Sequence, residues 1–165
     1  MKKLLALPLV ACALVMGAPP ALAGPPEAAE GEWNYVVDPA SVTARTAGNN
    51  TFITAAEDAV FTGTFEGTSY DTFSLICHQK APDVVDINVK GDIYFTGDVM
   101  DQSGTLTMRF VGKMTSTNCG PAEGATWTGT WTIIDGGGGL ADLHGHGTWT
   151  GPAYFLDYAG KVHFD

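Results

Sequence analysis

The stretch Trp127-Thr128-Gly129-Thr130-Trp131-Thr132-Ile133 alternates strictly, with Trp, Gly, Trp and Ile on one face and three threonines on the other. A period of two with one apolar face marks a half-buried strand of an antiparallel sheet, because successive side chains leave a strand on opposite sides. The same pattern recurs on either side of it. Phe61-Thr62-Gly63-Thr64-Phe65-Glu66-Gly67 sets Phe and Gly against Thr and Glu. Ile93, Phe95, Gly97 and Val99 oppose Asp92, Tyr94, Thr96 and Asp98. Leu106, Met108, Phe110, Gly112 and Met114 oppose Thr105, Thr107, Arg109, Val111 and Lys113. Tyr158, Gly160, Val162 and Phe164 oppose Ala159, Lys161 and His163. Strands are therefore expected over 33–37, 59–67, 69–78, 85–99, 104–114, 125–134, 142–150 and 154–164. The best helical candidate, Ala55 to Ala59 (AAEDA), allows one turn.

About eight strands at short spacing suggest a barrel or a sandwich. Glycines recur beside aromatics on the apolar face, as in Phe61-x-Gly63-x-Phe65 and Trp127-x-Gly129-x-Trp131. A glycine there lets a strand coil while a neighbouring ring fills the space, which favours a barrel. Closure also removes sheet edges that long threonine-rich strands would expose. The expected fold is all-β: a single small closed antiparallel β-barrel of about eight strands spanning 33–165. Its expected interior comprises Phe61, Phe65, Phe95, Leu106, Met108, Phe110, Trp127, Trp131, Trp149, Val162 and Phe164.

The N-terminus reads differently. Met1-Lys2-Lys3 is positive, Leu4 to Met16 is apolar, and Ala21-Leu22-Ala23 is an A-x-A cleavage site. Residues 1–23 thus read as a secretory signal peptide, too short and proline-interrupted to span a membrane. Leu9-Val10-Ala11-Cys12 also has the form of a lipobox, which would instead place a lipid on Cys12. The polar, proline-rich segment 24–32 reads as a flexible tether.

Residues 1–23 hold two of the eight basic residues and none of the eighteen acidic ones, which leaves a net charge of −12 for the rest. Such a surface repels nucleic acid and anionic lipid. Cys77 and Cys119 remain after cleavage, and a lone pair in an exported protein points to one disulfide. Asn49-Asn50-Thr51 has the form of a glycosylation acceptor, but the short Lys-Lys leader looks bacterial and the match reads as chance.

From Gly129 to Gly147 the chain runs GTWTIIDGGGGLADLHGHG: a strand, a glycine cluster, an apolar residue and a second, small-residue strand. This segment, with Phe61 to Ser69 (FTGTFEGTS) and Gly147 to Pro152 (GTWTGP), resembles the glycine-rich hairpins of the allene oxide cyclase-like and dirigent-like β-barrel group. The resemblance covers about two-thirds of the chain after residue 23 and implies a closed eight-stranded barrel. Plant members of that group act on hydrophobic reactive intermediates inside the barrel. Their catalytic residues match no positions here, so no role is carried over, and fold alone does not license function.

Side chains able to do chemistry fall mostly on the polar faces. Gly136 to Gly139 leads into another strand rather than a helix, so it reads as hairpin turn chemistry and not as a phosphate cradle. His144, His146 and His163 have strand spacing for a metal trio, yet their parity points them outward, and no metal or cofactor is expected. His78 diverges from its neighbour Cys77. Glu66, Asp92, Asp98 and Asp142 fall on polar faces or near turns. Asp71 is the exception, because it shares parity with Phe73 and Leu75. It reads either as an acid or base at an apolar barrel mouth or, as the local sequence favours, as a strand-start residue in solvent.

No nucleophile elbow, Walker, Rossmann or metalloprotease motif is present in the sequence, and the catalytic residues are unknown. The function expected is binding of a small apolar molecule, without chemistry, by the interior residues Phe61, Phe65, Phe95, Met108, Phe110, Trp127, Trp131 and Trp149. The alternatives are a cyclase-like enzyme and a module acting through its surface. Interior polarity discriminates: an enzyme needs at least two convergent polar groups inside.

Overall fold

The structure, a computed structural model, describes residues 24–120 and 122–165. The signal peptide expected over 1–23, and Cys12 with it, lies outside the described residues. The elements are nine strands: β1 (Glu27–Val37), β2 (Thr43–Ala47), β3 (Asn50–Gly63), β4 (Phe65–Ala81), β5 (Val84–Val99), β6 (Gln102–Ser116), β7 (Thr126–Gly138), β8 (Leu143–Pro152) and β9 (Phe155–Phe164). They form one antiparallel sheet in the order β1-β9-β8-β7-β6-β5-β4-β3-β2, and β1 also pairs with β3. That last pairing closes a ring of eight strands, with β2 outside it on β3. The expected all-β closed barrel is what the chain forms.

The alternation read in the sequence sets the inner face. Phe61, Phe65, Phe95, Leu106, Met108, Phe110, Trp127, Trp131, Trp149 and Val162 are all buried in one cluster, and Phe164 packs against its edge. Rings fill the room left by facing glycines. A Cβ at Gly147 or Gly160 would lie 2.6 Å from the Trp131 indole, and one at Gly112 or Gly129 would overlap the Trp149 indole.

Three expectations are corrected. The segment 24–32 is not a tether. Glu27 to Asn34 pairs with β9, and Gly31 to Val37 pairs with β3, so this segment makes the seam of the barrel. Ala55 to Ala59 is not helical but lies inside β3, where the ladders to β1 and β4 satisfy its backbone groups. The run 59–67 is not one strand. Gly63, at φ 98°, ends β3, and Phe65 begins β4, so Phe61 and Phe65 enter the core from adjacent strands with rings 6.4 Å apart. The Tyr158 hydroxyl clasps this corner, donating to the Thr62 carbonyl at 3.0 Å and accepting from the Phe65 N–H at 2.9 Å.

The glycine cluster is only partly turn: Gly136 to Gly138 end β7 and pair with β6, and residues 139–142 make the β7–β8 hairpin turn, with Gly138 at φ 68° and Leu140 buried. Cys77 of β4 and Cys119 of the β6–β7 connection are joined as a disulfide with Cα atoms 5.5 Å apart.

Candidate functional site

The site forms at the barrel end where inner-face residues of β1, β3 and β4 stop being wholly covered. Glu57 and Asp71 stand directly opposite each other in the β3–β4 ladder. Both obey the strand alternation, Glu57 with Ala59 and Phe61, and Asp71 with Ser69 and Phe73, so both point inward. Glu57 is 4% exposed and Asp71 0%. Asp71 is therefore not a strand-start residue in solvent. It lies in the middle of a seventeen-residue strand, with its neighbour Tyr70 on the outer face.

Side chains at directly opposed strand positions have Cβ atoms about 5 Å apart, close enough for two carboxyl groups to sense each other. Burial strips water from both and disfavours the charged form. Desolvation pushes Glu57 up to about 8, and the facing Asp71 adds to the rise. Desolvation likewise pushes Asp71 up to about 7. The Ser69 hydroxyl and the Trp33 indole N–H pull Asp71 partway back, while Asp58 on the outer face raises it slightly. Neither donor reaches hydrogen-bond geometry, so both Asp71 carboxyl oxygens, Ser69 Oγ and Trp33 Nε1 are buried without a partner. Among the described residues the buried polar or charged side chains are Glu57, Ser69, Asp71 and Ser116, with no base among them.

A cavity of about 80 Å³ opens beside Glu57. Its wall is largely aromatic, with Trp33, Tyr35, Phe73, Phe110, Trp127 and Trp149, aliphatic side chains between them and Tyr154 at the rim. The rings pack on one another. Trp33 meets Phe110 edge-on at 5.2 Å and Trp149 at 5.7 Å, and Tyr35 sits 5.5 Å from Tyr154. Burial also drives the Tyr35 phenol up to about 12, so it stays protonated. The Trp127 indole N–H faces Tyr35 but, like that of Trp33, lacks a partner in hydrogen-bond geometry.

The eight interior residues expected to bind a ligand divide here. Phe110, Trp127 and Trp149 line the cavity. Phe61, Phe65, Phe95, Met108 and Trp131 are packed among themselves deeper in the barrel. Glu57 was missed because the reading began its strand at residue 59. Extending the alternation back by two positions would have placed it on the face of Phe61.

The histidines face outward. His144 and His163 lie across the β8–β9 ladder with their Nε2 atoms 3.0 and 3.6 Å from the Asp165 carboxylate, and His146 stands opposite Lys161. Among the described residues no three of His, Cys, Asp and Glu come together as a metal-ligand set. His78 bonds to Asn50 through Nδ1, and Cys77 is in the disulfide, so the two do not form a dyad. Asp92 is paired with Arg109 at 2.9 Å on the outer face. A wider depression between Thr54, Thr72 and Arg109 also lies on the outer face and is open to solvent.

No family model matches the chain, and no curated protein does. Among solved structures, a protein of unknown function from the DUF3224 family of Shewanella oneidensis MR-1 is similar, with a TM-score of 0.63 at 15% identity. The match covers 86% of this chain and 98% of that one. At that identity the likeness is one of fold alone. It extends over nearly the whole neighbouring chain, so the barrel is a shared architecture rather than a local coincidence of strands.

Proposed function

We propose that this protein is an exported barrel that binds a small ligand at one end, taking an apolar end group of the ligand into the aromatic cavity without transforming it. The observation that carries the reading is the cavity itself. It is concave, lined mostly by rings, and has a few polar groups, which is the usual make-up of a small-molecule site. Its size narrows the ligand. Pockets that enclose a drug-sized molecule run to about 300–1,000 Å³. A space of about 80 Å³ takes a methyl cluster or a short branched group, with the remainder of the ligand outside the Tyr154 rim. The deeper interior is occupied by Trp131, Phe65 and Phe95 and offers no continuation. Export is supported by the leader-like residues 1–23, the acidic surface and the Cys77–Cys119 pair.

The test is tryptophan emission of the chain from Gly24 onward, titrated with short branched alcohols, indole and small terpenoids. A saturable change is expected, because Trp33, Trp127 and Trp149 line the cavity. Leu75→Trp, which fills the mouth, should abolish it. The absence of any saturable response would defeat the reading and leave a module acting through its surface.

The Glu57–Asp71 pair favours one second reading, an enzyme in the manner of the allene oxide cyclase-like and dirigent-like group. Two facing carboxyl groups with raised pKa values suit general acid–base work. Conversion of a probe to an isomer, lost in Glu57→Gln, would establish that reading instead.

A further inference from the structure

We propose that the cavity is built for a small organic cation, an ammonium group on an apolar body, held between the aromatic wall and the Glu57 carboxyl, with Asp71 behind it across the β3–β4 ladder. The inference rests on the binding reading above and names the chemical class of the ligand.

Among the described residues the interior carries two acids and no base. Glu57 lines the cavity and Asp71 faces it across the β3–β4 ladder, and among the described residues no Lys, Arg or His lines the cavity. A buried carboxylate needs a partner of opposite charge or a proton. Neither Asp71 oxygen is hydrogen-bonded within the protein, and Glu57, the acid that lines the cavity, has no ion-pair partner among the described residues, so the cavity is where a counter-charge would enter. A neutral apolar ligand would seal these acids away from water without compensating them. A cation compensates them directly.

The wall selects which kind of cation. A divalent metal demands about six oxygen ligands. Here the Glu57 carboxyl faces a wall of rings and aliphatic side chains, so a metal ion stripped of its water would lose more than it gained. Ring faces instead attract weakly hydrated organic cations, and aromatic cages around methylated ammonium groups use this attraction. The available rings include three indoles, Trp33, Trp127 and Trp149, the best partners for such a contact. The volume suits an ammonium head group and little more. Outside, the net charge of −12 after residue 23 concentrates cations near the mouth and speeds their arrival.

Binding then displaces a proton. At neutral pH Glu57 holds its proton because of desolvation and the facing Asp71. When the ammonium enters, the carboxyl gives its proton to solvent and becomes the counter-ion. The other groups facing the pair do not supply charge of the required sign. Tyr35 of β1 and Tyr154 of the β8–β9 turn are phenols, Val37 lies opposite Glu57 on β1, and Ile93 lies opposite Asp71 on β5. Asp58, which flanks them on β3, is a further acid. Affinity should therefore rise with pH, by about tenfold per pH unit below 7 for one proton displaced.

The experiment is isothermal titration calorimetry of the chain from Gly24 onward with a matched pair of probes. One is choline, and the other is its neutral carbon isostere, 3,3-dimethylbutan-1-ol. Each is titrated at pH 5.5, 7.0 and 8.5 in two buffers of different ionisation enthalpy. At pH 8.5 choline should bind at least tenfold more tightly than the isostere, and at pH 7.0 the two buffers should report proton release. The preference should disappear at pH 5.5 and in Glu57→Gln. Near-UV circular dichroism checks that this variant keeps its packed tryptophans, and Asp71→Asn serves in its place if it does not.

Equal affinity of the two probes at pH 8.5 would overturn the cation assignment while leaving binding of an apolar end group intact. Binding of neither probe would overturn both. A choline preference unchanged in Glu57→Gln and Asp71→Asn would also overturn it, because the carboxyl pair would not be the counter-charge.

Discussion

Glu57 sits on the inner face of β3, 4% exposed, with its carboxyl pushed from 4.5 up to about 8 by burial and by the facing Asp71. In the unfolded chain the same group ionises in the ordinary range. Between those two values the folded protein holds a proton that the unfolded chain has already released, so folding is progressively disfavoured as pH rises. This is opposite in sign to the usual salt-bridged carboxylate, whose stabilisation is lost towards acid. One pKa unit corresponds to about 1.4 kcal/mol. Integrated from pH 5 to pH 8, a shift of this size removes roughly 3–4 kcal/mol from a stability that for a domain of this kind totals about 5–15 kcal/mol.

Glu57→Gln removes the ionisation and keeps the shape. The assay is urea denaturation followed by tryptophan emission at pH 5, 6, 7 and 8, for wild type and variant together. The two proteins should have similar stability at pH 5. The variant should then gain on wild type, reaching an advantage of roughly 3 kcal/mol at pH 8. Some slope should persist in the variant between pH 4 and 7, because Asp71 is raised as well, to about 7. Exposed acids shift both proteins alike and cancel in the difference. A difference that stays constant within about 0.5 kcal/mol from pH 5 to pH 8 would refute the placement of Glu57 in a dry interior.

Three further outcomes are expected. Trp131→Ala should cost about 3–5 kcal/mol in chemical denaturation, since the ring lies against Gly147 and Gly160 and neither can move in to fill the gap; a loss under about 1 kcal/mol would mean that the ring is not core. Replacing Cys77 and Cys119 together by Ala should lower stability by about 4 kcal/mol for a cross-link spanning 42 residues, and non-reducing peptide mapping of the wild type should recover the linked peptides rather than two free thiols. Deleting residues 24–32 should abolish the cooperative unfolding transition, because it removes most of the β1–β9 ladder; an unchanged transition would restore the view of this segment as a tether.

How much of the site could be read from sequence depended on where each strand was taken to begin. Asp71 showed itself through its parity with Phe73 and Leu75 on a run already assigned as strand. Glu57 carries the same signal with Ala59 and Phe61, but it lies in Ala-Ala-Glu-Asp-Ala, whose residues favour helix over strand when taken alone. Ladders on both sides override that preference. The N-terminal strand was hidden for a related reason. Glu27 to Glu32 has low strand propensity and only the small residues Ala29 and Gly31 on its inward face, so its conformation comes from the two strands that it joins.

The inward and outward sorting of side chains was determined by the sequence alone, because a period of two is a local property of an extended chain. It survived intact in Trp127, Trp131, Phe95, Phe110 and the rest of the core. The filling of glycine gaps by rings was also latent in the spacing. What only the tertiary structure decided was non-local: that β1 closes the ring between β3 and β9, that the chain turns at Gly63–Thr64 rather than at Thr68, and that Glu57 comes to lie opposite Asp71. Register between strands depends on turn geometry and on burial summed over whole faces, and neither can be computed from one strand's own residues. The cavity belongs to the same class, since its volume is what remains after six rings from five strands have packed.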